Sequence, residues 1–96
     1  MQPVDSFNTY HLIQGAGTTQ IAPQGATLHS IFMPASVAGT TLFHDTATLA
    51  GTSASNLMFT IPNVQGTPIS VTPDIGFTNG IVAVTSGTVN YLVTYF

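Results

Sequence analysis

Hydrophobic and polar positions alternate along this chain in short runs, and the C-terminal stretch shows it most clearly. From Phe77 to Phe96, β-branched and aromatic residues dominate and favour extended backbone. Gly80 and Gly87 are expected to supply the positive φ angles that tight turns require. The stretch therefore reads as a strand, a short connection and a closing strand. In the closing strand Val89, Tyr91, Val93 and Tyr95 point one way, while Asn90, Leu92, Thr94 and Phe96 point the other. Both faces carry bulky apolar groups, so this strand is expected to be sandwiched or covered by a partner rather than laid over a solvated surface.

The same period recurs upstream. Residues 1–7 have no periodicity, and Pro3 with Asp5 and Ser6 marks an arm or lead-in loop. Residues 8–14 alternate, with Tyr10 and Leu12 on one face and His11 and Ile13 on the other, and read as a first strand. A short extended piece follows at 18–22 before the turn Pro23-Gln24-Gly25. Residues 26–33 form a strong strand that sets Leu28, Ser30 and Phe32 against Thr27, His29, Ile31 and Met33, with Pro34 expected to end it. Residues 40–44, 56–61 and 69–72 give further strands, and 47–50 reads as a strand or a loop. No window shows a 3.6-residue period or helix caps. About seven to nine short strands, with turn residues roughly every 8 to 12 positions, predict an all-β chain. The fold class is a small β-sandwich or jelly-roll-like barrel. The chain is expected to be one domain, with residues 1–25 as N-terminal arm and first strand and residues 26–96 as the β-sandwich.

Composition sharpens this picture at one point. The chain has 96 residues, no Lys, no Arg and no Cys, and its only carboxylate side chains are Asp5, Asp45 and Asp74. Binding to nucleic acid relies on cationic side chains that release counterions, so direct nucleic-acid binding is excluded as an expectation. Arginine fingers, Schiff-base lysines and phosphate clamps go with it. Without cysteine there is no disulfide framework. No run approaches the roughly 20 apolar residues of a membrane span, and no secretory leader is evident, so the chain reads as soluble and unprocessed. With 44% hydrophobic and 3% charged residues, the chain lacks the charges that usually guard sheet edges. Its flanks are expected to face other protein.

The candidate chemistry is thin. The neighbours His44 and Asp45 suggest a hydrolase or a metal site, but both uses need more partners, and a metal wants three or four ligands in defined geometry. His29 and His44 lie on neighbouring predicted strands, where the plainer expectation is a partly buried histidine with a backbone partner. No serine sits in a strained Gly-x-Ser-x-Gly elbow, and Ser86 beside Gly87 reads as a turn residue. Asp45 and Asp74 both occupy turn contexts. No catalytic triad or dyad can be assembled, so no enzyme activity and no cofactor are expected. Among the aromatics, Phe32, Phe43, Phe59 and Phe77 read as core. Tyr91 and Tyr95 share a face and, with Phe96 and Tyr10, are the candidate interface residues.

Three segments carry a family resemblance. Residues 26–31 (Ala-Thr-Leu-His-Ser-Ile), residues 38–46 (Ala-Gly-Thr-Thr-Leu-Phe-His-Asp-Thr) and residues 77–88 with Tyr91-Leu92-Val93-Thr94-Tyr95 resemble motifs of small tailed-bacteriophage virion proteins. In those proteins a Gly-x-Leu-His-Ser-Ile strand, a Gly-Thr-x-Thr-Leu-Tyr-Asp strand and a Phe-x-Asn-Gly-Leu-x-Val-x-Thr-Ser-Gly-Thr hairpin recur. The chain departs from them where Ala26 replaces a common Gly and where Phe43-His44 precedes Asp45. The resemblance implies a jelly-roll-like decoration or cement protein on the surface of an icosahedral virion capsid. Its partners would be the major capsid protein or other virion proteins, and it would form a homo-oligomer, typically a trimer at capsomer junctions. Neck, tail and fibre proteins are the near alternatives. A carbohydrate- or receptor-binding β-sandwich module using Tyr91 and Tyr95 is the alternative of another class.

Overall fold

The strand that is apolar on both faces, Val89–Tyr95 (β9), lies in the middle of a sheet. In the computed structural model, which describes residues 8–14 and 16–96, it is flanked by Asn8–Gln14 (β1) and by Ala26–Ser36 (β3). On its far edge β3 carries two short strands, Ile69–Val71 (β6) and Ile75–Phe77 (β7). A second sheet is built the same way around Ile81–Thr85 (β8), which pairs with Gly17–Ala22 (β2) and Gly39–Asp45 (β4). β4 carries Leu57–Asn63 (β5) on its far edge. All these pairings are antiparallel.

With β6 and β7 taken as one interrupted edge strand, the strand orders become β1-β9-β3-β6/β7 and β2-β8-β4-β5. That is the arrangement of a two-sheet jelly roll built from Greek keys. The chain is all-β, with nine strands among the described residues and two short 3-10 turns, Leu49–Gly51 and Ala54–Asn56, between β4 and β5. β8 and β9 belong to different sheets, so the C-terminal stretch is a crossover between layers and not the hairpin that the resemblance implies. Gly87, with φ of 82°, makes the turn between them. Gly80 does not adopt a positive φ. It is needed for space, because a Cβ there would lie 2.6 Å from the Thr46 carbonyl oxygen and 2.8 Å from that of Ala22.

The core fills the gap between the inward faces. β9 contributes Val89, Tyr91 and Val93, and β3 contributes Leu28, Ile31 and Met33. The opposite sheet answers with Ile81, Ala83, Phe43 and Ile61. Simple alternation would set Leu28 with Ser30 and Phe32, away from Ile31 and Met33. An irregular register between Leu28 and Ser30 changes this: Leu28 turns inward to join Ile31 and Met33, and His29 is left half-exposed. Pro34 does not end β3, which runs on to Ser36. Pro34 falls inside a second irregularity of register, between Phe32 and Ala35, the kind of place where a strand tolerates proline.

Strands β1 and β2 each form one edge of a sheet, so the expected boundary at residue 25 falls at a turn inside the sandwich. The arm at residues 1–7 lies outside the described residues. Core position and surface position on β9 should separate sharply in stability. Tyr91→Ala is expected to lower the unfolding free energy by about 3–5 kcal/mol, and Leu92→Ser, on the opposite face, by about 0.5 kcal/mol. Urea denaturation of the two variants measures both values.

Candidate functional site

Of the four candidate interface residues, the structure removes one and leaves one plainly accessible. Tyr91 has no solvent exposure and sits among Leu28, Ile31 and Val93 in the core, because the inward period of β9 includes it. It is therefore a packing residue, and the expectation that it contacts a partner is corrected. Tyr95 is half-buried against the edge of the same core. Phe96 is 51% exposed, with its ring tilted over that of His29 at a centroid distance of 5.9 Å. Its backbone N–H donates to the Thr27 carbonyl and its own carbonyl accepts from the Thr27 N–H, so the residue is held in line with β3. The side chain of Tyr10 lies outside the described residues, although its backbone stands opposite Val93.

The apolar surface that the sequence missed is on the outer face of the first sheet. Phe32 of β3 and Leu92 of β9 are direct cross-strand partners, and they are 43% and 37% exposed. Ser70 of β6 continues the row on one side and His11 of β1 occupies the register position on the other. No described element covers this row. Exposed apolar side chains also gather near the start of β5, where Leu49, Leu57 and Met58 are each at least 40% exposed. Alternation predicts Phe32 for the core. Only the break in register after Leu28 reverses that, and no sequence signal marks the break.

One end of the outer face of the second sheet is covered instead. Residues 46–56 fold across it, with both 3-10 turns, and bury Val82 and His44, which stand opposite each other on β8 and β4. His44 Nδ1 lies 3.0 Å from the Ser53 carbonyl oxygen and 2.9 Å from Asn56 Oδ1. Both are acceptors, so Nδ1 carries the proton. Asn56 ties the loop further: its Oδ1 accepts from the Ser53 N–H at 3.0 Å and its Nδ2 donates to the Gly51 carbonyl at 2.8 Å. The side-chain amide of Gln20 on β2 donates to the Ala47 carbonyl. The Ser53-x-x-Asn56 spacing is a capping-box pattern, and it is the signal by which the sequence could have placed this loop.

Asp45 follows His44 in the chain and does different work. Its carboxylate accepts from the backbone N–H groups of Thr78 and Asn79, at 3.1 and 2.7 Å, and so fixes the connection from β7 to β8. The turn that it secures is one from the far end of the sequence, which its local context could not reveal. Ser86 is likewise structural: its Oγ accepts from the Thr40 N–H at 2.8 Å, and its own N–H donates to the Thr40 carbonyl. His29 Nδ1 and Asp74 Oδ1 are 2.5 Å apart on the edge of the first sheet, at the interruption between β6 and β7. Asp74 adopts a φ of 50°, a left-handed conformation that Asp tolerates better than most residues. His29 and His44 thus belong to different sheets and do not meet. Among the described residues no group of three or more His, Cys, Asp or Glu side chains is placed to hold a metal ion.

Comparison with known proteins finds no matching family model, no similar curated protein and no similar solved structure. Two features of the geometry bear on function: among the described residues His44 and Asp45 are spent on holding loops, and one sheet face has uncovered apolar side chains. Two substitutions test the structural assignments. Asp45→Asn is expected to cost about 1.5–3 kcal/mol, the range for hydrogen bonds to a charged group, with faster amide exchange at Thr78 and Asn79. His44→Ala is expected to release residues 46–56, which limited proteolysis would detect as new cleavage in that segment while the sheets stay protected.

Proposed function

We propose that this chain is a structural protein of a bacteriophage virion, a decoration or cement protein that binds the assembled capsid through the major capsid protein. The observation that supports this best is the open outer face of the first sheet, where Phe32 and Leu92 lie exposed on a chain without a single Lys or Arg. An uncovered apolar row on a surface almost free of charge suits contact with other protein. The segments that carry the resemblance to phage virion proteins fall on β3, β4, β8 and β9, the strands that interlock the two sheets. Jelly rolls recur among viral capsid proteins, and fold analogy adds that much and no more.

A decoration protein acts by linkage. It binds the assembled shell in preference to free subunits, and its contact energy then opposes disassembly. Two contacts of roughly 800 Å² each would be of standard size. They would cover about a third of the 4999 Å² surface of this chain, enough to bury the apolar row and a sheet edge together. No chemical step is required. The carbohydrate-binding alternative needs Tyr91 and Tyr95 as neighbouring stacking rings, and Tyr91 is inside the core.

Purified particles decide the matter. The protein is expected to co-sediment with tail-free capsids at a fixed copy ratio to the major capsid protein, and Phe32→Asp with Leu92→Asp is expected to abolish that co-sedimentation while the protein stays folded. Recovery in the tail fraction alone would move the protein to a neck, tail or fibre position. Absence from every particle would overturn the reading.

A further inference from the structure

We propose that β1 is a docking edge for a second copy of this chain, the two β1 strands pairing antiparallel about a two-fold axis so that their sheets become continuous. The inference rests on the sheet edges alone and stands apart from the virion reading.

The sandwich has four edges, and three of them are blunted. The β6/β7 edge is split into two strands of three residues, with Pro73 and Asp74 at the interruption. β5 contains Pro62, and its register against β4 is irregular between Phe43 and His44. β2 has an irregular register between Gln20 and Ala22, and the Gln20 side chain is tied to the Ala47 carbonyl. Prolines, bulges, charges and short strands are the devices by which natural sheets prevent edge-to-edge pairing. β1 has none of them. Its seven residues pair in unbroken register from Asn8 opposite Tyr95 to Gln14 opposite Val89, and they include no Pro, no Gly and no carboxylate. Among the described residues β1 pairs with β9 alone. A long, regular, uncharged edge of this kind is a template for another strand.

The sequence of β1 selects the same strand as its partner. In an antiparallel pair centred on His11, Tyr10 stands opposite Leu12, Thr9 opposite Ile13 and Asn8 opposite Gln14 of the other copy. Aromatic–aliphatic and β-branched pairs are favourable across strands, and a carboxamide meets a carboxamide at each end. Every residue of the strand is paired, and no like charges face each other. Sliding the pair by two residues keeps the faces but sets Asn8 opposite Leu12 or Tyr10 opposite Gln14, and it leaves the strand ends unpaired. Pairing about His11 also aligns the exposed rows. Phe32, Leu92 and His11 occupy one register row of the sheet, and the two-fold repeats that row in the second copy on the same side. The contact is isologous, so it builds dimers or even-numbered assemblies, whereas the trimer that the family resemblance implies needs a head-to-tail contact.

Sedimentation equilibrium of the full chain, without capsids, tests this. The wild type is expected to be a concentration-dependent dimer. His11→Lys and His11→Glu are each expected to raise the dimer dissociation constant on the order of tenfold, because each sets two like charges opposite one another. An equimolar mixture of the two variants is expected to dimerise again, through one copy of each. Thr60→Lys, at an exposed position on β5, is expected to leave the dimer intact. If circular dichroism finds the His11 variants unfolded, Thr9→Lys, at an exposed position of β1, is expected to weaken the dimer instead. A wild type that is monomeric at every concentration or trimeric would overturn the proposal. So would a dimer that folded His11 or Thr9 variants leave unchanged, or one that only Thr60→Lys disrupts.

Discussion

The fold depends on two strands late in the sequence being inserted between strands that come much earlier. β9 separates β1 from β3, and β8 separates β2 from β4. Tyr10 thus stands opposite Val93, and Thr19 opposite Ala83. Neither N-terminal edge strand has another ladder partner among the described residues, so the ladder pairing of β1 and β2 comes from β9 and β8 alone. The same insertion fixes where the core lies, because the inward residues of β8 and β9 meet each other across the layers and the other inward residues pack around them. Topologies of this kind, dominated by distant pairings, reward the chain only after long loops have closed.

Much of this was legible in the sequence, and what was not has identifiable causes. The period-two pattern located the strands, and the absence of helix periodicity settled the class. Nothing local distinguishes a strand that is central from one at an edge, so the C-terminal stretch looked like a hairpin when it is a crossover. Alternation placed Leu28 and Phe32 together, and a single irregularity in β3 put them on opposite sides. Tyr91 looked like a partner of Tyr95 in a surface patch because both faces of β9 are apolar and alternation does not say which one turns inward with Val89 and Val93. A buried histidine with a backbone partner and a carboxylate that fixes a turn were legible as kinds of role, but not their partners: Thr78 and Asn79 for Asp45, and Ser53 and Asn56 for His44, become neighbours only after folding.

Chains with few charges must meet their buried polar needs by other means, and this one does so mainly with hydroxyls and carboxamides. Thr41 Oγ1, buried between the sheets, donates to Asn63 Oδ1 at 3.2 Å, and Asn63 Nδ2 reaches the Ser86 carbonyl at 3.4 Å. Neutral pairs of this sort avoid the desolvation penalty that a buried ion would bring. They also leave the exterior with little electrostatic repulsion, and that makes close approach between molecules inexpensive.

The loop at residues 46–56 pads one sheet and leaves the other bare, so the two broad sides of the molecule are unlike. The padded side buries Val82 and His44 under loop and turn while exposing Leu49 and Met58, and the bare side exposes Phe32 and Leu92. A body with this asymmetry has a top and a bottom. A contact made through one of these sides therefore differs in chemistry from a contact made through the other.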